Sequence, residues 1–117
     1  MSQIAVEINV TKTFEDTVDS TIDYMSQWNS EFVVIDRVEA VVDHFFKKVS
    51  ENPFIYSKSP ELLDLGVAEI REFNRDGFRL FYEAVEDKDK VVVNVLLFLR
   101  QKQNVQNQLV EHCLIYK

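Results

Sequence analysis

Cysteine, glycine and proline are all scarce in this sequence of 117 residues. The one cysteine is Cys113, so no intramolecular disulfide can form and nothing indicates an oxidising compartment. With two glycines and two prolines the chain is neither collagen-like nor of low complexity, and its 46% hydrophobic residues can bury enough surface to outweigh chain entropy. We therefore expect a single domain over residues 1–117 that folds unaided.

Long apolar runs and metal-binding motifs are also missing. No stretch approaches the roughly 20 apolar residues that span a bilayer, and residues 1–7 contain no basic segment followed by an apolar one. The two histidines, His44 and His112, are too far apart for a local metal motif, and we expect both to be solvated surface residues of the helices. Adjacent residues such as His112 and Cys113 point about 100° apart on a helix, which excludes them as a base and nucleophile pair. We expect a cytoplasmic protein without membrane contact, metal or cofactor.

The first half of the chain contains few lysine and arginine residues. Residues 1–67 hold five Lys/Arg against twelve Asp/Glu, whereas residues 68–117 hold eight of each, which gives a net charge of −7. An acidic surface repels phosphate backbones and lacks the counterion release that drives nonspecific binding to nucleic acids. The composition therefore excludes a general DNA or RNA coat protein, and it leaves a local basic site in the second half as the remaining option.

A strand followed by two helices is predicted in the first half. Residues 3–10 alternate apolar and polar side chains, which is typical of a half-buried strand. Thr13 and Ser30 are suited to cap two helices in which apolar residues recur every three or four positions until Pro53, and the short link between them predicts an antiparallel hairpin. The acidic residues of the first helix have the spacing of an ordinary solvated face: Glu15, Asp16, Asp19 and Asp23.

Three strands and a last helix are predicted in the second half. Residues 67–73, 78–85 and 91–99 are separated by turn-forming residues and should form an antiparallel meander after the loop at 53–60. Residues 91–99 are apolar on both faces, so a helix capped near Asn104, or a partner, must cover the second face. The predicted fold is α+β, with an N-terminal strand, an antiparallel helical hairpin, a three-stranded antiparallel meander and a C-terminal helix. The expected core includes Phe45, Phe46, Leu80, Val93, Val95 and Leu97.

Several short segments follow one another in a characteristic order along most of the chain. They are Gly-Phe-Arg-Leu-Phe-Tyr-Glu at 77–83, an acidic turn, the apolar run at 91–99, and Arg-Gln-Lys-Gln at 100–103. Glu-Asn-Pro at 51–53 and Ile-Arg-Glu-Phe at 70–73 precede them. In this order and spacing the sequence resembles the RelE/ParE toxins of bacterial type II toxin–antitoxin systems, which include plasmid-stabilisation proteins. The resemblance implies a growth-inhibiting toxin that a cognate antitoxin holds inactive.

The family resemblance implies two different activities. The RelE-like branch cuts messenger RNA in the ribosomal decoding site, using a sheet-borne cluster of Lys, Arg and sometimes Tyr that assists proton transfer and stabilises the pentavalent phosphate. The ParE-like branch poisons DNA gyrase without such a cluster. By resemblance, Arg71 and Arg79 match two of the nuclease cations, and Arg100 and Lys102 flank the position of another. These four residues are the candidate catalytic residues.

The chain departs from the nuclease pattern at three positions. Glu69 stands where the nucleases have a second lysine, Gln101 where they have a basic residue, and Asn107 near their C-terminal tyrosine. Loss of one preorganised donor can lower a rate by roughly 10²–10³. These departures weigh against ribosome-dependent cleavage, so we expect no ribonuclease activity and favour a ParE-like binding role.

Two alternatives stay open at this point. Arginines beside glutamates on neighbouring strands are typical of cross-strand ion pairs, and whether Arg71 and Arg79 share a face depends on the number of turn residues within 74–77. The protein could also be an inactive interaction protein of toxin fold that forms a homodimer or larger homo-oligomer, in agreement with its net charge of −7. The partners to consider are therefore a cognate antitoxin, DNA gyrase, the ribosome and a second copy of the chain.

Overall fold

A computed structural model describes residues 5–105, 107 and 108, and it contains a four-stranded sheet of order β1-β4-β3-β2. The elements are β1 (Ala5–Val10), α1 (Lys12–Met25), α2 (Glu31–Glu51), α3 (Pro60–Asp64), β2 (Ile70–Arg75), β3 (Phe78–Asp87) and β4 (Lys90–Arg100). Strands β2, β3 and β4 form the antiparallel meander, and β1 pairs in parallel with β4. The predicted α+β class is confirmed, and the apolar strand β4 lies in the interior of the sheet.

The helical hairpin begins directly after β1. Thr11 caps α1: its Oγ1 accepts a hydrogen bond from the Phe14 amide at 3.1 Å and donates one to the Val95 carbonyl at 2.7 Å. The prediction of Thr13 as the cap was wrong, because Thr11 is the residue that keeps an extended backbone and fastens the helix start to β4. Ser30 is the residue before α2, as expected, but its side chain makes no capping hydrogen bond.

The main core lies between the helical hairpin and one face of the sheet. Five residues of α2 are buried at helical spacing, and β3 and β4 present aromatic and branched side chains to them. Of the expected core, Phe46 is only half-buried and packs against the cluster. The others are buried, namely Phe45, Leu80, Val93, Val95 and Leu97.

A β-bulge explains part of the apolar pattern of β4. Phe81 pairs with Leu97 but Tyr82 pairs with Val95, so Leu96 is an extra residue on β4. One extra residue inverts the alternation of faces, and for this reason Val95 and Phe98 both face the helices. The Phe98 amide near the bulge donates to the Thr17 hydroxyl of α1 at 3.0 Å.

The second face of the sheet carries a smaller core. It consists of Leu62, Ile70, Phe81, Leu97, Leu99 and Val105. Leu62 belongs to α3, which lies where no helix was predicted, because five residues are too few to display a helical period. Val105 lies at the start of the predicted C-terminal helix, and the Asn104 side chain accepts a hydrogen bond from the Asn107 amide at 3.0 Å. The rest of that helix, with His112 and Cys113, lies outside the described residues.

Candidate functional site

The register of the β2–β3 hairpin separates two of the four candidate cations. Arg71 pairs with Tyr82, and Arg79 pairs with Asn74. Because side chains alternate along a strand, Arg71 lies on the same face as Phe73, whereas Arg79 lies on the opposite face. The two arginines therefore cannot act together on one phosphate.

The other two candidates do not join Arg79 either. Arg100 lies on the helix-facing side, with its guanidinium carbon 3.7 Å from the centroid of the Tyr24 ring of α1. Lys102 is exposed in the turn after β4. The structure thus places Arg79 alone on the second face among the four predicted site residues.

Arg79 is held by side chains from several elements. Its Nε donates to Glu72 at 2.9 Å, its Nη2 to Glu61 at 2.7 Å and its Nη1 to the Gln103 carbonyl at 3.2 Å. The guanidinium carbon also lies 5.0 Å from the centroid of the Phe81 ring. The side chains of Arg79 and Glu72 are only 12% and 9% exposed. Of the two alternatives left open by the sequence, the cross-strand ion pair is present, and the contacts of Arg79 tie β3 to β2, to α3 and to the turn after β4.

The ion pair sets the charge state of both partners. Burial alone raises the pKa of Glu72, but the hydrogen bonds and the positive charge of Arg79, together with hydrogen bonds from Ser59 and Asn74, outweigh it and hold this pKa below its ordinary value of 4.5. Burial likewise lowers the pKa of Arg79, and its hydrogen bonds to Glu72 and Glu61 raise it overall. Both groups are therefore charged at neutral pH, and each neutralises the other.

The depressed pKa of Glu72 predicts a stability that depends on pH. Its ionised form stabilises the fold fully above the ordinary value of 4.5, and this contribution is lost as the pH falls through the folded pKa. Urea unfolding of the wild type between pH 7 and pH 3 should show a loss of stability below about pH 5, and Glu72→Gln should remove part of this slope. Equal slopes for the two proteins would contradict the assignment.

Arg71 and Tyr82 have structural contacts on the helix-facing side. Arg71 donates to the Tyr56 carbonyl at 2.7 Å, and its guanidinium carbon lies 5.1 Å from the Phe54 ring centroid. The Tyr82 hydroxyl donates to the Pro53 carbonyl at 3.0 Å, and burial raises its pKa to about 12. At neutral pH this phenol stays protonated and bonded within the core.

The positions that depart from the nuclease pattern are placed as follows. Glu69 and Arg71 line a shallow groove with Phe54. Gln101 borders a cleft of about 480 Å³ next to the ion pair of Arg79 with Glu72. Glu69, the carboxylate among these positions, therefore lies beside Arg71, and the uncharged Gln101 lies near Arg79.

Three further observations bear on the other expectations. Across residues 5–105, 107 and 108 no group of three His, Cys, Asp or Glu side chains is placed to hold a metal ion. The described helices include none long and apolar enough to cross a membrane. His44, expected to be a solvated surface residue, is half-buried and stacks on Phe73 with ring centroids 5.8 Å apart.

One surface feature, a groove between the two long helices, was not predicted from the sequence. A groove of about 240 Å³ runs between α1 and α2. The apolar residues at its sides follow the same helical period as the core, so the sequence does not distinguish them from core residues. Its lining residues are Phe14, Val18, Ile22, Ile35, Val38, Glu39, Val42 and Asp43.

The architecture defines the class of the fold, an α+β domain in which a helical hairpin packs on a four-stranded sheet. The family model described as "ParE toxin of type II toxin-antitoxin system, parDE" matches residues 8–105. The chain therefore belongs to the ParE toxin family of type II toxin–antitoxin systems, and the resemblance noted from the sequence is confirmed. A comparison with curated proteins finds no match.

Solved structures show the same fold at low sequence identity. A chain of the chromosomal ParDE toxin–antitoxin system from P. aeruginosa has a TM-score of 0.61 and 14% identity, and the match covers 82% of this chain and 96% of that chain. A chain of the toxin–antitoxin complex RelBE2 from Mycobacterium tuberculosis has a TM-score of 0.53 and 17% identity, covering 80% and 95%. These matches support the fold assignment.

Proposed function

We propose that this chain is the toxin of a type II toxin–antitoxin pair and that it inhibits growth by binding DNA gyrase rather than by cutting ribosome-bound message. A cognate antitoxin holds it inactive. Membership of the ParE family supports the gyrase target. The two similar solved structures belong to a ParDE system and a RelBE2 complex, which supports an antitoxin partner.

The observation that carries the choice of target is the environment of Arg79. Ribonuclease chemistry requires several preorganised cations and donors that converge on the phosphate where charge develops. The guanidinium of Arg79 is committed to two carboxylates, and Arg71 lies on the opposite face. A phosphate beside Arg79 would meet Glu61 and Glu72, and these carboxylates raise the cost of the developing negative charge. Binding without chemistry is the activity that this face supports best.

We expect induction of the protein alone to stop growth without cleavage of ribosome-bound message. The purified protein should inhibit DNA supercoiling by gyrase, and primer extension on ribosome-bound message should give no cuts in the decoding site. The reason for the second result is that the lost donors each lower a cleavage rate by roughly 10²–10³. The three readouts are growth after induction in cells, and supercoiling and primer extension with one preparation of purified protein.

Arg71→Met provides the matched control for Arg79 in the primer-extension assay, because it removes an arginine from the opposite face. Specific cuts that persist in Arg71→Met and vanish in a folded Arg79→Lys variant would contradict the proposal and restore a nuclease site around Arg79. Supercoiling that stays at its normal rate, with growth arrest present, would exclude gyrase as the target. Normal growth with folded protein would instead support the inactive, homo-oligomeric alternative.

A further inference from the structure

Basic side chains from α2 and β2 meet where the helix passes over the end strand of the sheet. His44 of α2 stacks on Phe73 of β2 with ring centroids 5.8 Å apart and an angle of 13° between the ring planes. Arg75 pairs with Phe78, a residue of the main core, and so lies on the same face of β2 as Phe73. Lys48 lies one turn after His44 along α2. We call the surface bordered by His44, Lys48 and Arg75 the α2–β2 seam.

The loop before α3 adds a tyrosine to this seam. The ring centroid of Tyr56 lies 4.6 Å from that of Phe73. Burial raises the pKa of the Tyr56 phenol, and the charge of Arg75 acts on it in the opposite direction. A charge has such an effect only at short range, so the guanidinium of Arg75 lies near the Tyr56 hydroxyl. The α2–β2 seam thus combines two cations with an imidazole and a neutral phenol.

The charged groups that act on His44 all have the same sign. Burial lowers the pKa of His44 below its ordinary value of 6.5, and the charges of Arg75, Lys48 and Lys47 lower it further. Within residues 5–105, 107 and 108, none of these three cations forms a salt bridge. The fold therefore holds like charges together without a described carboxylate to offset their repulsion.

Carboxylates lie beside only one flank of the α2–β2 seam. Asp43 and Glu51 are each one turn from Lys47 along α2. The acidic face of α1 is further away, because α1 packs over β4, and β4 is two strand spacings, or about 10 Å, from β2. Exposed charges separated by more than about 8 Å are largely screened at physiological salt. The seam is therefore locally positive in a chain whose net charge is −7.

The donors of the seam match a tetrahedral oxyanion. A guanidinium offers two parallel N–H groups to a pair of oxygens, and an ammonium donates to a third oxygen. A phenol and a protonated imidazole supply further donors. A planar carboxylate has only two oxygens and would leave part of this set unused. A phosphate group uses all of it.

We propose that the α2–β2 seam binds a phosphate group through Lys48, Arg75 and the imidazolium of His44, with the Tyr56 hydroxyl as a neutral donor. The group is carried by a small phosphate ester or by the backbone of a nucleic acid, which present the same oxygens. The site lies on the opposite face of the sheet from Arg79. It does not depend on the target of the toxin, because it is a property of the chain alone.

The test follows the imidazole signal of His44 by nuclear magnetic resonance as the pH is varied. His44→Gln identifies this signal, because the chain has two histidines. The titration is repeated with sodium sulfate and with sodium chloride at equal ionic strength. Sulfate serves as the probe because its charge stays constant in the range where imidazoles titrate.

Two double variants separate a local site from general attraction. Lys48→Gln/Arg75→Gln removes both cations of the α2–β2 seam. Lys12→Gln/Lys88→Gln removes two exposed cations, one at the start of α1 and one in the turn between β3 and β4. Both variants change the net charge equally, and circular dichroism checks that both are folded.

We expect sulfate to bind at least about threefold more tightly to the protonated imidazole, so that the pKa of His44 is higher in sulfate than in chloride. In Lys48→Gln/Arg75→Gln this pKa should move towards 6.5 without any anion, because two repelling charges are gone, and the effect of sulfate should disappear. Lys12→Gln/Lys88→Gln should behave like the wild type. Equal effects of sulfate and chloride, or a sulfate effect that persists in the seam variant, would overturn the proposal.

The carrier of the phosphate is identified with the same signal. A nucleoside monophosphate and a single strand of about six nucleotides, within the usual range of single-strand sites, are added to the wild type and to the seam variant. Tighter binding of the strand per phosphate group would assign the site to a nucleic-acid backbone, and equal binding to small phosphate esters. If neither ligand displaces the His44 signal at about 10 mM phosphate groups, the proposal is wrong.

Discussion

Phe45→Ala is expected to lower the free energy of unfolding by about 3–5 kcal/mol. The Phe45 side chain is fully buried between α2 and the sheet, and its ring centroid lies 5.0 Å from that of Tyr82 and 5.7 Å from that of Phe73. Truncation removes these contacts and leaves a cavity that the packed rings cannot fill without leaving their rotamers. Urea unfolding monitored by circular dichroism measures the change.

Phe32→Ala is the matched control for this prediction. Phe32 lies on the same helix and undergoes the same chemical change, but its side chain is 83% exposed. We expect its variant to stay within about 0.5 kcal/mol of the wild type. A shift below about 1 kcal/mol for Phe45→Ala would mean that the aromatic cluster is not the centre of the core. Domains of this size have about 5–15 kcal/mol of stability, so the expected loss is a large fraction of it.

The second large effect is expected on removal of the charge of Arg79. Arg79→Met leaves the 9% exposed Glu72 carboxylate without its partner, and a buried pair broken on one side costs about 3–5 kcal/mol. In Arg79→Met/Glu72→Leu both charges are gone, so most of this loss should be recovered, to within about 1 kcal/mol of the wild type. Urea unfolding of both variants and of Glu72→Leu completes a double-mutant cycle.

Lys90→Met serves as the control for the loss of an ion pair. The Lys90–Glu7 salt bridge joins β4 to β1 at 2.8 Å, but its side chains are 41% and 47% exposed. Exposed pairs contribute little, so we expect no measurable change in the free energy of unfolding. If the losses of unfolding free energy in Arg79→Met and Glu72→Leu simply added up in the double variant, the two side chains would not be coupled. Arg79 would then act as an independent surface cation.

Local patterns were sufficient to predict the strands and the helical hairpin. Alternation in residues 5–10 and the apolar period of α2 record which side of each element is buried, and that information is local in the sequence. The short helix α3 was not predicted from the sequence, because its five residues are held in place by the Ser59 cap and by burial of Leu62 against the second face. Its position depends on contacts distant in sequence.

The face on which each arginine lies was decided by one turn. The structure turns at Asp76 and Gly77, both with positive φ, and leaves Asn74 and Arg75 within β2. A two-residue turn of this kind sets the register at Arg75 opposite Phe78 and so puts Arg71 and Arg79 on opposite faces. The sequence suggested a turn of four residues at 74–77, and such a turn does not determine whether Arg71 and Arg79 lie on the same face of the sheet.

The sequence by itself determined the class of this protein: its four strands, its helical hairpin and the toxin family that its central segments resemble. Only the tertiary structure decided what the charged residues do, because the partner of a side chain depends on strand register, on the bulge at Leu96 and on the packing of α3. Arg79 and Glu72 form an ion pair because the fold buries their side chains next to each other. The packing of α1 on α2 leaves an apolar groove with Glu39 and Asp43 in its lining. Periodicity is a property of neighbouring residues, whereas pairing is a property of residues that only the fold brings together.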